Sequence, residues 1–557
     1  MKRIPALPCL LILVLAFEPL AVRGQYMTWR YDKLIEANSG QNAYSPRVAI
    51  SGLKAVAAWT QFLSGARRVY VNNSIDGGKT WKTPRLIEDN NQSAYDVDIA
   101  MSGNLVVAAW RQLAAGATED HYQVFVNTSA DGGQTWGSDR AIEDNAGFHA
   151  ETGPSISISG TRVVIVWPQS DFNKIRIYSN YSTDSGATWH LRRVLDRTTA
   201  YHSSGPKVAL WGLNAVAVFL RSDGANTRVY RTNSTDGGVT WTPDALLEFN
   251  SGYTSFSPLD VVMSGTHAIA VWFGYAAGGI GECVWANHSG DGGSNWDGAK
   301  LLKQPILSTA AYPKVAVSGS KAVAAWMQME TDLTWTIRAN RSTDCGTTWG
   351  TAQPIGSATV NPIQIPFLAM SGTNVVATWS ESDGTDFHIF SNFSSDGGLF
   401  WRTARRIENL SGTNALYEPS VALSGTKAVA VWEEYDGANW RIASNYGIAS
   451  AVQKSYLLPP KLNSPANGAS GLSTSVNMTW LDMNSSPQEL KYKLRIKVAG
   501  GAYAAYALGN NAVNYLKTGL RRGKTYYWNV MAMGNGTTIL NSPWANGGKD
   551  FKFTIQP

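Results

Sequence analysis

Eight positions along residues 47–420 combine side chains that can grip a polar ligand: Arg47, Asp98, Ser155, Lys207, Asp260, Lys314, Phe367 and Ser420. Each stands four residues before a Ser-Gly pair, or before Trp211-Gly212 in one case. Guanidinium and ammonium groups bind anions, carboxylates orient hydroxyls or move protons, and an aromatic ring offers a stacking face. Arg111 and Arg221 follow nearby apolar runs and are within reach of the same neighbourhood. Tyr417 and Glu418 have the chemistry of a nucleophile and its base, but adjacent residues of a strand point to opposite sides. Tyr44 and Tyr95 share the register of Tyr417, which suits a packing or platform role for all three. The sequence holds no metal-ligand cluster, nucleophile elbow or phosphate-binding loop, so no metal and no cofactor is expected.

These positions recur because the chain repeats. The phrase Ser-x-Asp-(Gly/Ser/Cys)-Gly-x-x-Trp occurs seven times, at Asp76, Asp131, Asp184, Asp236, Asp291, Asp344 and Asp396, with gaps of 52 to 55 residues. The Ser-Gly phrase occurs between these copies, followed by runs such as Ala55-Val56-Ala57-Ala58-Trp59. Short Ala/Val/Ile runs broken by Gly read as hairpin strands with both faces covered. An alternating segment such as Arg68-Val69-Tyr70-Val71 leads into the Asp turn, and a short strand such as Arg85-Leu86-Ile87 follows. One unit is therefore a four-stranded antiparallel meander, and many such units predict an all-β propeller.

The chain ends predict ring closure. Thr28-Trp29-Arg30 through Ile35-Glu36 copies the tail of a repeat, and the last hairpin, at Gly425, is followed by a third strand but no Asp turn. The N-terminal strand is expected to complete that unit. Residues 27–450 make eight units of 53, hence eight blades, with the eight positions above lining the mouth of the central channel.

Ser-x-Asp-x-Gly-x-x-Trp resembles the Asp-box, or BNR repeat, of the sialidase superfamily. The resemblance covers nearly all of residues 27–450. It implies that the seven boxes are structural turns on the face opposite the ligand site. The residue types agree: Asp accepts N–H bonds within a turn, Gly takes positive φ, and Trp buries area. The Asn-x-Ser/Thr sequons at Asn72, Asn127, Asn180, Asn287, Asn340 and Asn392 fall in repeat register, so they too are expected to be scaffold, as are Glu36, Glu88, Glu143, Glu248 and Glu408. Catalytic members of the superfamily grip a substrate carboxylate with three arginines and use a Tyr–Glu pair. The first of those arginines lies in an Arg-Ile-Pro motif, and here the only such motif, Arg3-Ile4-Pro5, lies in the leader. Eight regular blades also depart from the six of those enzymes.

Residues 1–24 combine a basic start, an apolar core from Leu7 to Phe17 and a small-residue exit, the pattern of a signal peptide. No later stretch is long and apolar enough to span a bilayer as a helix. The expected compartment is secreted or cell-envelope, periplasmic or at the surface. Removing the leader leaves 44 Lys/Arg against 40 Asp/Glu, a net +4 that does not suggest nucleic acid. Cys283 and Cys345 are expected on opposite faces, too far apart to bridge.

Residues 25–452 thus form the propeller and 453–460 a Pro-Pro linker. Residues 461–557 read as a β-sandwich that resembles a fibronectin type III domain. The resemblance makes Trp480 its core tryptophan and Tyr526 its tyrosine corner, and implies a spacer or accessory unit. The expected function is a monomeric, non-catalytic module presenting the channel mouth to a glycan or to a cell-surface or secreted protein. The alternatives are an exo-acting glycosidase of the sialidase type and a structural adhesion protein.

Overall fold

A computed structural model describes residues 25–557 except for 37–39, 115–120, 144–148, 171–173, 198–199, 249–253, 276–280, 304–308, 360–364, 409–418, 451–454, 457–458, 484–490, 510–511, 534–538, 541 and 543. The leader, Tyr417 and Glu418 lie outside the described residues. The described chain is all-β apart from one 3-10 turn, Asn546–Gly548.

Seven four-stranded antiparallel sheets, of the kind that form propeller blades, follow one another in sequence. The first comprises Ala43–Ser51, Lys54–Leu63, Ala66–Ser74 and Arg85–Leu86. The seventh comprises Phe367–Ser371, Asn374–Ser382, Phe387–Ser394 and Arg405–Arg406. A further sheet joins Ser420–Ser424, Lys427–Tyr435 and Trp440–Ser450 to two segments from the other end of the chain. Tyr26–Trp29 and Lys33–Leu34 both pair antiparallel with Trp440–Ser450, Tyr26 opposite Ser450 and Lys33 opposite Ser444.

The second strand of each sheet is apolar on both faces because a neighbouring sheet covers each side. Trp59, Trp110, Trp167, Trp272, Trp326, Trp379 and Trp432 sit within these strands and are at most 2% exposed. Several donate their indole N–H to a glutamine two residues on, such as Trp59 to Gln61 at 3.2 Å and Trp110 to Gln112 at 2.8 Å. The strand that would otherwise leave a buried indole unsatisfied supplies its acceptor.

The Ser-Gly phrase links sheets. Gly212 donates its N–H to the Ser159 hydroxyl at 2.8 Å, Gly372 to Ser318 at 2.9 Å and Gly425 to Ser371 at 2.9 Å. Gly52 of the first sheet donates to Ser424 of the last at 3.0 Å. All eight glycines of this phrase have φ between 58° and 65°, the left-handed region that an L side chain enters at a cost. A Cβ there would meet nothing within 4 Å, so the backbone angle and not space demands glycine.

A second recurrent link joins the start of a third strand to the end of the fourth, twenty residues on. Arg68 pairs with Glu88, Arg228 with Glu248, and Arg176 with Asp196 at 3.1 Å. Arg441 pairs with Glu36, repeating the link across the two ends of the chain. In the seventh sheet His388 takes the arginine's place, 2.9 Å from Glu408. In the fifth the same two positions hold Cys283 and Lys303, both buried. Burial pushes the Cys283 thiol up and the Lys303 ammonium down. Cys283 and Cys345 are both buried free thiols.

Residues 461–557 form two sheets around one buried cluster that contains Met478, Trp480, Tyr492, Trp528 and Phe553. The Arg521 N–H donates to the Tyr526 hydroxyl at 3.0 Å. Ser455–Tyr456 pairs parallel with Ile539–Leu540 in a separate two-stranded sheet, so part of the segment read as a linker is tied to the C-terminal residues.

Candidate functional site

The first strands of seven sheets converge on one cavity of about 430 Å³, lined by Ala49, Ser157, Ala209, Val262, Ala316, Ala369 and Ala422 among others. Its wall is small and apolar. The eight positions singled out by sequence lie two residues upstream of these side chains, toward one end of the cavity.

At that end the eight divide into two groups. Asp98 accepts the Ile156 N–H at 3.1 Å and its own neighbour Ile99 at 3.0 Å. Asp260 does the same with Val315 at 3.1 Å and Val261 at 3.0 Å. Ser155 accepts from Val208 at 3.4 Å, and Ser420 accepts from Val48 at 3.2 Å. These four oxygens therefore satisfy the exposed backbone edge of the following sheet. Arg47, Lys207, Lys314 and Phe367 have no oxygen to offer that edge. Instead the Arg47 guanidinium carbon lies 5.8 Å from the Phe367 ring centre and the Lys314 ammonium lies 5.0 Å from it. Three sheets thus bring two cations and one aromatic ring together.

Several of these strands start with a bulge. Register shifts occur between Tyr44 and Arg47, Tyr95 and Asp98, Ser204 and Lys207, Phe256 and Asp260, and Ala311 and Lys314. At the bulges Ser45, Asp96 and Tyr312 hold φ of 53°, 55° and 56°. Such angles cost about 1 kcal/mol or more each for a non-glycine residue, so the surroundings must hold them. The Ser45 N–H is fixed by Glu433 at 2.7 Å, and the Asp96 carboxylate by Arg111 at 2.6 Å. A bulge re-aims side chains at the end of a strand; here it falls between each tyrosine and the charged residue that follows, while Tyr44 stays paired opposite Thr60 and Tyr95 opposite Arg111.

The result is a row of alternating rings and guanidiniums. Arg67 lies 4.4 Å from the Tyr44 ring centre, 5.1 Å from Tyr95 and 5.2 Å from Phe62. Arg111 lies 5.5 Å from Tyr95 and 4.9 Å from Tyr122. Tyr95 and Tyr122 meet edge to face at 5.7 Å. Burial raises the Tyr44 phenol above its usual range, opposed by the charge of Arg67. The row offers ring faces, hydroxyls and positive charge.

Arg111 also donates to the Glu151 carbonyl at 3.0 Å, so its fork is largely committed. Arg221 is buried elsewhere, 2.5 Å from Asp244 and 3.6 Å above the Tyr230 ring. Arg47, Arg111 and Arg221 therefore do not converge on a common point. Of this row, the sequence singled out Arg111 as a ligand candidate and gave Tyr44 and Tyr95 a packing or platform role, but missed Phe62, Arg67, Asp96 and Tyr122. Their signal was available: Arg67 follows the Gly65 turn between second and third strands, where cations and aromatics alternate with the first-strand tyrosines.

The Asp turns lie at the other end of the strands. In the first, Asp76 accepts from the Ser74 hydroxyl at 2.8 Å, the Thr80 N–H at 2.8 Å and the Thr80 hydroxyl at 2.7 Å. Gly78 donates to Ser74 at 2.9 Å and has φ of 86°; a Cβ there would lie 2.7 Å from Val429 of the closing sheet. The hydroxyl and then the N–H of Thr188 hold Asp184 at about 2. Asp131, Asp236, Asp291 and Asp344 accept the corresponding bonds. Asp396 keeps the backbone bonds, but Phe400 stands where the others have Thr or Asn. The sequon asparagines are buried and donate inward, as Asn72 does to the carbonyls of Ile35 at 2.9 Å and Lys82 at 2.8 Å. Among the described residues no group of three or more His, Cys, Asp or Glu is placed to hold a metal.

The family model for the BNR repeat-like domain matches residues 109–324. No curated protein matches the sequence. Among solved structures, the chain is similar to the polysaccharide lyase Uly1, with a TM-score of 0.41 and 9% identity over 72% of this chain and 89% of that one. It is similar to a prolyl endopeptidase with a TM-score of 0.41 and 12% identity, covering 73% of this chain and about half, 53%, of that one. A subtype N10 neuraminidase-like protein of A/little yellow-shouldered bat/Guatemala gives 0.32 and 8%, over 53% and 94%.

Proposed function

We propose that residues 25–452 form an eight-bladed β-propeller closed by the N-terminal strand, and that its channel mouth binds a glycan without turning it over. The single observation that carries this reading is the row from Tyr44 through Arg67, Tyr95 and Arg111 to Tyr122, beside the Arg47–Phe367–Lys314 group. Ring faces suit the apolar faces of a pyranose, and adjacent guanidinium and ammonium groups orient its hydroxyls or carboxylates. The acidic members of the same ring, Asp98 and Asp260, are occupied with backbone N–H groups and serve the scaffold. So do the seven box aspartates, at the far ends of the strands.

Binding without turnover is supported by the separation of the arginines. A sialidase-type site needs three that converge, whereas Arg111 is held by Asp96 and Arg221 by Asp244. A leader at residues 1–24 would export the protein to the envelope or the medium as a monomer, with 453–460 leading into a fibronectin type III-like domain at 461–557. The Tyr526 hydroxyl bond to Arg521 supports that last assignment.

The test is a glycan array followed by calorimetry on the best binder. Tyr95→Ala and Arg67→Ala should each weaken binding by about tenfold or more. An array without binders, or binders indifferent to both substitutions, rejects the reading. Hydrolysis of a fluorogenic sialoside that is lost in Arg47→Ala would put the enzyme in its place.

A further inference from the structure

The charge of this chain is unevenly divided. Residues 461–557 hold 11 Lys/Arg against three Asp/Glu, a net +8, whereas residues 25–460 hold 33 against 37. The mild total conceals a basic C-terminal unit.

The strand register concentrates that charge on one face. In Lys491–Val498 the side chains of Tyr492, Leu494 and Ile496 are buried in the core. Alternation therefore places Lys491, Lys493, Arg495 and Lys497 on the opposite face, about 6.8 Å apart along the strand. The neighbouring strand Thr525–Met533 sets Tyr527 opposite Lys497, and Phe551–Ile555 sets Lys552 opposite Tyr527. Five cations thus share one sheet face.

Aromatic rings hold these cations in place. Arg495 lies 4.4 Å from the Trp544 ring centre and 4.7 Å from Tyr503, while Lys497 lies 4.3 Å from Tyr503 and 5.8 Å from Tyr527. Among the described residues Asp550 joins this group, binding Arg495 at 2.7 Å and accepting from the Tyr503 hydroxyl. Two cations lie over Tyr503, whose ring otherwise stays exposed. What the face presents is a fixed row of positive charge on a flat sheet.

We infer that this face of the C-terminal sheets binds an acidic polysaccharide, at a second site independent of the channel mouth. Charge complementarity selects a linear polyanion, and Arg and Lys groups suit the carboxylates or sulfates of an acidic polysaccharide; tight binding of nucleic acid is the outcome that rejects this choice.

The experiment measures the affinity of the full chain from residue 25 for alginate, chondroitin sulfate, neutral dextran and double-stranded DNA at increasing salt. Alginate or chondroitin sulfate should bind, dextran should not, and the affinity should fall steeply with salt. The triple substitution Lys493→Gln, Lys497→Gln and Lys552→Gln should weaken binding by about tenfold or more while the thermal transition stays in place. Lys491→Gln with Lys552→Gln, two exposed positions, should give a smaller loss and guards against a folding defect. Arg67→Ala should leave this binding unchanged, which separates it from the mouth. No retention of either acidic polysaccharide, retention unaffected by the triple substitution, or equally tight binding of DNA would overturn the inference.

Discussion

The two ends of the propeller strands obey different rules. At the Asp turns, one set of bonds is repeated sheet after sheet: serine hydroxyl to aspartate, aspartate to the N–H four residues on, glycine against the valine of the preceding sheet. At the opposite end, the strand starts are bulged in some sheets and straight in others, and the residue in the same register is in turn cationic, acidic, hydroxylic or aromatic. One end is a fastening, so its chemistry is the same each time. The other varies from sheet to sheet, because the turns at the far end already fasten neighbouring sheets together.

This contrast can be tested from its strongest element downward. Trp326 lies at the centre of a fully covered strand with no exposure, and Trp326→Ala should cost about 3–5 kcal/mol in denaturant unfolding. A loss below about 1 kcal/mol would mean that neighbouring sheets are not packed as closely as described. Asp131→Ala removes one acceptor that serves Ser129, Gln134 and Thr135, and should cost about 1–3 kcal/mol without touching glycan affinity. Reduced affinity in that variant would erase the division between the two ends. Tyr95→Ala should do the reverse, weakening the ligand while the melting temperature barely moves.

Two pH effects sharpen the comparison. Asp131 and Asp184 sit at about 2, below the ordinary 3.8: at Asp131 burial opposes but the Thr135 and Ser129 hydrogen bonds together outweigh it, and at Asp184 the Thr188 hydrogen bonds lead. Their contribution to stability is therefore present above about pH 4 and is lost as the pH falls toward 2. Acid titration of the unfolding midpoint should show that loss, and Asp131→Asn should reduce it. The smallest expected effect concerns His388, whose pKa is raised above 6.5 by the Glu408 carboxylate, with burial opposing and Asp383 assisting. Its contribution is full below 6.5 and disappears as the pH rises through the higher folded value. His388→Arg, which restores the residue type of the other sheets, should flatten that slope. An unchanged slope would remove His388 from the account.

The repeat was legible because it is a matter of spacing. Ser, Asp, Gly and Trp at fixed intervals encode a local turn whose bonds run between residues two to four apart, and local geometry can be read from one copy. The buried asparagines were equally legible, since an Asn in register six times over cannot be a surface accident. The site was less legible. Arg111 and Arg221 looked alike in sequence, yet one lies in the aromatic row and the other is sealed over Tyr230 with Asp244. Asp98 and Asp260 looked like ligand groups, but their partners are backbone N–H groups 55 to 58 residues away.

The sequence by itself determined the unit: its four strands, its turn chemistry and the pairing of chain ends implied by the copied Thr28-to-Glu36 tail. Only the tertiary structure decided which charges remain at the surface to meet a partner. Bond partners across neighbouring sheets depend on how the sheets sit side by side, and the bulge beside Tyr44 is held by a residue hundreds of positions away, Glu433 on the Ser45 N–H. Periodicity specifies what each unit is; burial and neighbour contacts, summed over the whole ring, specify what each unit leaves available.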